Sequence, residues 1–86
     1  PEDAGQMNGF AWYIFKAKIE DKYARGIDVA KKGVELEPKN DAIWDTLAQL
    51  YYAAGNKEEA IKAIQKAVDL APKTESYKKL LEKYKS

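Results

Sequence analysis

The chain repeats itself with a period of 34 residues, and each repeat closes on a proline. Between residues 7–40 and 41–74, the identical pairs at this spacing are Ile27/Ile61, Lys32/Lys66, Val34/Val68, Leu36/Leu70, Pro38/Pro72 and Lys39/Lys73. Each proline follows a stretch of helical periodicity, which proline cannot continue. Repeats of this length are supersecondary units that cannot bury their apolar face alone and therefore stack on a neighbour. We expect a stack of helical units that presents surfaces rather than one that performs chemistry.

The composition excludes several classes of function. There is no cysteine and no histidine in the 86 residues, so thiol chemistry, the commonest general base and the commonest metal ligands are all missing. The net charge of +1 is too small for a nucleic-acid-binding surface. No apolar run approaches the roughly 20 residues that span a bilayer. We predict no catalytic residue, no metal site and no cofactor, and neither nucleic acid nor membrane as a partner; the protein is not expected to be an enzyme.

The beginning of the chain carries little information on location. It starts Pro1-Glu2-Asp3 without methionine, and one interpretation is that it is a fragment of a larger multidomain protein. No secretory signal is visible. The compartment stays open, with the cytoplasm favoured.

The first two helices are predicted from apolar spacing. Residues 1–6 are polar and contain proline and glycine, which predicts a loose N-terminal segment. A first helix then begins near Met7, and a second runs over about 22–36. Apolar residues at i, i+3 and i+4 mark one face of a helix. For the first helix this spacing predicts a buried stripe of Met7, Phe10, Tyr13, Ile14 and Ala17.

Three more helices follow from stop and start signals. Pro38 ends the second helix, and Asn40 or Asp41 can cap the third, which Gly55-Asn56 ends. A fourth helix is predicted over about 57–70 and a fifth over about 75–84. Five short helices with tight connections predict an all-α antiparallel stack.

The second repeat, residues 41–74, carries a specific motif of large and small residues. Its members are Trp44, Leu47, Ala48, Tyr51, Gly55, Ala60, Ile64, Ala67 and Pro72. This pattern closely resembles the tetratricopeptide repeat. A more divergent first repeat, residues 7–40, has Phe10 at the aromatic position and Gly26 and Gly33 at the small positions, and residues 75–86 resemble a capping helix. The resemblance implies a right-handed superhelical stack of antiparallel helix hairpins, an α–α superhelix. The two glycines suggest very close helix contact.

The resemblance also implies a function and a site. In that family the first helices of successive repeats line a concave groove that binds a protein or peptide. By position, the groove residues are Asn8, Ala11, Trp12, Phe15, Lys18 and Ile19, and then Ala42, Asp45, Thr46, Gln49, Tyr52 and Ala53. Phe15 and Tyr52 lie off the periodic stripes of their helices, and exposed aromatic residues are typical anchors of a binding surface.

From these positions we predict a ligand-binding set of six side chains: Asn8, Phe15, Lys18, Asp45, Gln49 and Tyr52. A carboxylate clamp for chaperone tails is not expected. The positions that would hold its basic residues are Ala11, Phe15, Thr46, Ser76 and Leu80, and none of them carries a positive charge.

A structural role is the alternative. About three repeats are usually needed for independent stability, and two repeats with a cap leave the outer side of the first helix uncovered. Self-association into a homodimer through Phe10, Trp12 and Phe15 would cover it.

Overall fold

The computed structural model describes residues 3–86, which form five α-helices and no strand. The helices are α1 (Ala4–Lys16), α2 (Tyr23–Leu36), α3 (Asp41–Ala53), α4 (Lys57–Leu70) and α5 (Glu75–Lys85), and a 3₁₀ turn at Glu20–Lys22 precedes α2. Helix α1 pairs with α2 and α3 pairs with α4, while α2 packs on α3 and α5 on α4. The predicted all-α stack of helix hairpins is confirmed. No helix within residues 3–86 is long and apolar enough to cross a membrane.

Helix α1 begins earlier than its apolar pattern predicts. Asp3 caps it by accepting hydrogen bonds from the amides of Gly5 and Gln6, at 2.8 and 3.3 Å. Ala4 is already buried, and its carbonyl oxygen lies near Gly33 of α2. The prediction of a loose N-terminal segment is therefore wrong for residues 4–6, and Pro1 and Glu2 lie outside the described residues.

The buried face of α1 also differs from the predicted stripe. Ala4, Ala11 and Ile14 are buried, whereas 43% of Phe10 and 62% of Tyr13 are exposed. Small residues allow α1 to approach α2 and α3 closely, and this requirement decides which face turns inward. Among residues 3–86 the structure shows nothing that covers the two outward aromatic rings. The predicted burial of Phe10 and Tyr13 is wrong for this reason.

The two hairpins do not have the same length. Helices α2 and α4 begin 34 residues apart, but α1 and α3 begin 37 apart. The difference lies in the loops, because residues 17–22 link α1 to α2 and only 54–56 link α3 to α4. All six identical pairs fall in the second helices and the turns after them. The period of 34 therefore describes the second helices and misplaces the first helix by three residues.

The ends of α1 and α3 confirm this offset, because both helices close in the same turn. A residue with positive φ follows the C-cap in each, Lys18 at 55° and Gly55 at 89°. The next amide then reaches back to a carbonyl five residues earlier, as in a Schellman motif; these bonds are Ile19 N–H to Ile14 C=O (3.1 Å) and Asn56 N–H to Tyr51 C=O (2.8 Å). The period of 34 would pair Gly55 with Asp21. The structure instead places Lys18 at the position equivalent to Gly55.

The two hairpins meet along a seam that two glycines make possible. A Cβ atom on Gly26 would lie 3.2 Å from the Cδ1 atom of Leu50, and one on Gly33 would lie 3.1 Å from the Cγ2 atom of Ile43. Leu50 and Ile43 are both completely buried. The very close helix contact expected from these glycines is confirmed as contact between α2 and α3.

Helix α5 is held beside α3 by two tyrosines. The Tyr77 hydroxyl donates a hydrogen bond to the Asp41 carboxylate at 2.7 Å. The Tyr84 ring is almost fully buried and stacks on Tyr52 with a centroid separation of 4.3 Å. These contacts bring the first helix of the second hairpin and the last helix of the chain side by side.

The glycine seam generates the first prediction. Gly33→Ala gains about 1 kcal/mol of helix propensity, but overpacking a buried contact costs about 1–3 kcal/mol, and the stiff, β-branched Ile43 cannot yield easily. We expect a net loss of up to about 2 kcal/mol in the free energy of unfolding. Gly9→Ala is the matched control, because a Cβ there meets nothing within 4 Å; it should stabilise by about 0.5–1 kcal/mol. Urea unfolding measures the stability of both variants. Equal stabilisation by the two would contradict the close packing of Gly33 against Ile43.

The turn at Lys18 generates the second prediction. The left-handed conformation costs a side-chain-bearing residue about 1–2 kcal/mol, so Lys18→Gly should raise the free energy of unfolding by up to about 1 kcal/mol. Gly55→Ala is the opposite substitution in the equivalent turn and should lower the free energy of unfolding by a similar amount. Thermal unfolding followed by circular dichroism tests the pair. A loss of stability in Lys18→Gly would show that the turn is not strained.

Candidate functional site

Two matching rows of side chains lie on α1 and α3, which pack against each other. Each row has the spacing i, i+4, i+7, which places its members on one face of a helix. The rows are 37 residues apart, the offset between the two helices. We call this surface the α1–α3 face; its members are Asn8, Trp12 and Phe15 on α1 and Asp45, Gln49 and Tyr52 on α3.

A hollow of about 210 Å³ opens between the two rows. Its lining consists of Asn8, Trp12, Ala42, Asp45 and Thr46. The Thr46 hydroxyl is buried and donates to the carbonyl oxygen of Ala42 at 3.1 Å, so its hydrogen is already used within α3. The carboxylate of Asp45, the amide of Asn8 and the indole N–H of Trp12 are therefore the polar groups of the hollow that can meet a ligand.

Asp45 is a partly desolvated carboxylate. Burial raises its pKa above the ordinary value of 3.8, and the negative charge of Asp41 one turn earlier adds to this, while a hydrogen bond from Gln49 opposes it. The Gln49 Nε2 atom donates to the Asp45 Oδ1 atom at 3.0 Å. Within residues 3–86 no lysine or arginine forms an ion pair with Asp45. The charged carboxylate thus lies at the hollow and accepts a hydrogen bond from the neutral amide of Gln49.

Asn8 contributes a second uncompensated acceptor. Its Oδ1 atom is buried and receives no hydrogen bond from any of the described residues. Buried polar atoms in proteins nearly always have a hydrogen-bond partner. A buried acceptor without a donor at the wall of an open hollow indicates a place where a ligand N–H group is favoured.

Aromatic rings close the other end of both rows. Trp12 and Phe15 pack at 5.3 Å between centroids on α1, and Tyr52 stacks on Tyr84 as described above. Lysine ammonium groups lie over two of these rings, Lys16 over Trp12 at 5.9 Å and Lys83 over Tyr52 at 5.4 Å. Because 36% of Tyr52 remains exposed, this aromatic end is accessible from solvent.

The structure brings five of the six predicted ligand-binding residues together on the α1–α3 face. Lys18 is the exception, because α1 ends at Lys16 and Lys18 lies in the turn that follows. Ile19 lies in the same loop, and Ala11 is completely buried, so neither of these wider groove positions faces outward from α1 as predicted. The cause is the offset of three residues between the period of 34 and the true position of α1.

Trp12 joins the face in the position that corresponds to Gln49. The sequence pattern placed it mainly in the self-association set, with Phe10 and Phe15. A spacing of two residues on a helix corresponds to a rotation of about 200°, so Phe10 and Trp12 lie on opposite sides of α1. The signal that identifies Trp12 is the shared i, i+4, i+7 spacing of the two rows, which becomes visible only with the offset of 37.

Comparison with known families agrees with this geometry. The tetratricopeptide repeat sequence profile matches residues 17–84. The chain belongs to the tetratricopeptide repeat family. Helix α1, which ends at Lys16, lies outside the match, in keeping with its shifted position. Tetratricopeptide repeats generally mediate protein–protein interactions and are typically not enzymes. A search of curated proteins gave no significant match.

The desolvated carboxylate of this tetratricopeptide stack generates the third prediction. A carboxyl group whose pKa is raised in the folded state binds protons more tightly there, so its contribution to stability falls as the pH rises through and above the unfolded value. We expect Asp45→Asn to unfold at a higher temperature than the wild type at pH 7. The difference should vanish near pH 3, where the carboxyl group is protonated in both states.

Asp69→Asn is the control for this measurement. Asp69 on α4 is exposed and accepts a hydrogen bond from Gln65 at 2.9 Å, the same kind of i, i+4 pair without the burial. Its substitution should not raise the unfolding temperature at pH 7, because this carboxylate is exposed to solvent. A destabilised Asp45→Asn variant at pH 7 would show that the carboxylate is compensated in the folded state.

Proposed function

We propose that this protein is a protein-interaction module that binds a peptide or a segment of a partner protein on its α1–α3 face. The observation that carries the proposal is the hollow between the two rows, bordered at one end by the acceptors of Asp45 and Asn8 and at the other by accessible aromatic rings. Membership of a family that generally mediates protein–protein interactions supports it.

The two ends of the face favour different parts of a ligand. Phe15 and Tyr52 stand last in their rows, and large, partly exposed rings contribute much of the binding free energy at interfaces when an apolar side chain covers them. Asn8 and Asp45 stand first and favour a hydrogen-bond donor. An extended segment with an apolar residue at one end and a polar donor at the other matches this arrangement.

Self-association is the second candidate, and the exposed outer side of α1 favours it. Phe10 and Tyr13 are three residues apart and therefore share a face of the helix. Both are among the most exposed large apolar residues of residues 3–86. In a homodimer this face would pack against a second copy of the chain, with Trp12 and Phe15 remaining on the α1–α3 face.

Two phenylalanines on α1 separate the candidates and give the fourth prediction. The probe is a set of peptides taken from a displayed random library and selected for binding to the folded chain. Phe15→Ala should weaken their binding by about tenfold or more, because a buried aromatic contact is worth more than about 1 kcal/mol. Phe10→Ala, the matched control on the opposite side of the helix, should leave peptide binding unchanged. Isothermal titration calorimetry measures both.

Sedimentation over a range of concentrations completes the comparison. If the second candidate is correct, Phe10→Ala abolishes a dimer that Phe15→Ala leaves intact. Circular dichroism checks that Phe15→Ala remains folded, because this side chain also packs partly against the core. Equal loss of peptide binding in both variants would contradict a site on the α1–α3 face.

A further inference from the structure

We propose that the hollow between α1 and α3 receives an arginine side chain of the bound segment. This inference rests on the proposed function and states which residue the polar end of the face recognises. The recognising groups are the carboxylate of Asp45 and the side-chain oxygen of Asn8, with the Trp12 ring as the apolar wall.

The acceptors of the hollow favour a ligand that donates hydrogen bonds. Asp45 is an acceptor, and its Oδ1 atom has one donor in Gln49. The Oδ1 atom of Asn8 has no donor among the described residues. The Thr46 hydroxyl already donates to a backbone carbonyl and offers no hydrogen to a ligand. A guanidinium group carries five N–H donors and no acceptor, so it can serve both oxygens at once.

The charges around the hollow favour a cation. Its lining contains one carboxylate and neither lysine nor arginine. Asp41 adds negative charge from the start of α3. The Lys16 ammonium lies over the Trp12 ring, and the Lys83 ammonium lies over Tyr52 at the other end of the rows. Tyr77 and Tyr84 of α5 are neutral at pH 7, because burial raises their pKa above an ordinary value of 10 that is already well above 7. An incoming cation would therefore compensate a carboxylate that forms no ion pair within residues 3–86.

The shape of the hollow favours arginine over lysine. The Trp12 ring provides an apolar wall along which the methylene stem of the side chain can lie. Arginine is more weakly hydrated than lysine, and its planar fork reaches two separate acceptors in a fixed geometry. Asp45 and Asn8 face each other from neighbouring helices, which suits a forked donor better than a single point charge.

The energetic state of Asp45 supports the same occupant. Burial disfavours its charged form, as the direction of its pKa shift indicates. Hydrogen bonds in which both partners are charged are roughly twice as strong as neutral ones. Binding of a guanidinium group would add to the partial compensation that the hydrogen bond from Gln49 gives the carboxylate.

The test replaces arginine by a neutral residue of the same shape. Displayed 12-residue peptides are selected on the wild-type chain, and those that shift the amide signals of Asn8 and Trp12 in ¹⁵N spectra are retained. Each arginine of a retained peptide is then replaced by citrulline or lysine. We expect one position at which citrulline weakens binding by about tenfold or more and lysine weakens it less, the size of a lost charged hydrogen bond.

Variants of the protein assign that arginine to the hollow. Asp45→Asn keeps the size of the side chain and an oxygen for Gln49, and it should reduce the preference for arginine over citrulline to about threefold or less. Asp69→Asn, the exposed Asp–Gln pair on α4, should leave the preference unchanged. Circular dichroism confirms that both variants are folded.

The outcomes distinguish this inference from the proposed function. If retained peptides bind equally well with citrulline at every arginine, or keep their preference in Asp45→Asn, the arginine assignment is overturned while the peptide-binding function stands. If no selected peptide shifts signals on the α1–α3 face, the proposed function fails, and this inference fails with it.

Discussion

The close approach of α2 to α3 is the contact on which the rest of the structure depends. A methyl group on Gly26 or Gly33 would lie only 3.2 or 3.1 Å from the side chain of Leu50 or Ile43, so the two hairpins approach each other closely at both positions. This proximity brings α1 against α3 and aligns the two rows of the α1–α3 face. The repeat has alanine at the corresponding positions of α4, which are also completely buried. The tighter seam is thus particular to the junction between the hairpins.

The helical stack could be predicted from the sequence, but the place of its first helix could not. Period, proline stops and the Asn40 cap indicate four of the five helices well, because each signal acts within a few residues. The longer loop before α2 could not be predicted, because Lys18 stands in the turn where glycine is the usual sequence signal. A glycine at position 18 would have marked the end of α1, as Gly55 marks the end of α3, whereas a lysine with positive φ has no sequence signal.

Most of the predicted ligand-binding residues share one surface of α1 and α3 although the start of α1 was misplaced, and helix geometry explains why. An error of three residues rotates the assigned face by only about 60°, because a helix has 3.6 residues per turn. Lys18 does not share that surface because it lies beyond the end of α1, and Ala11 does not because it is completely buried. The uncompensated state of Asp45 and Asn8 depends on contacts between helices and was not accessible from spacing.

The stack between Tyr84 and Tyr52 gives the last helix a role besides shielding the core. One ring of the pair belongs to the last turns of α5 and the other to the proposed binding surface. Any rearrangement of the carboxy-terminal helix would therefore displace the Tyr52 ring. On the proposal made above, recognition would then depend on the terminus as well as on the repeats.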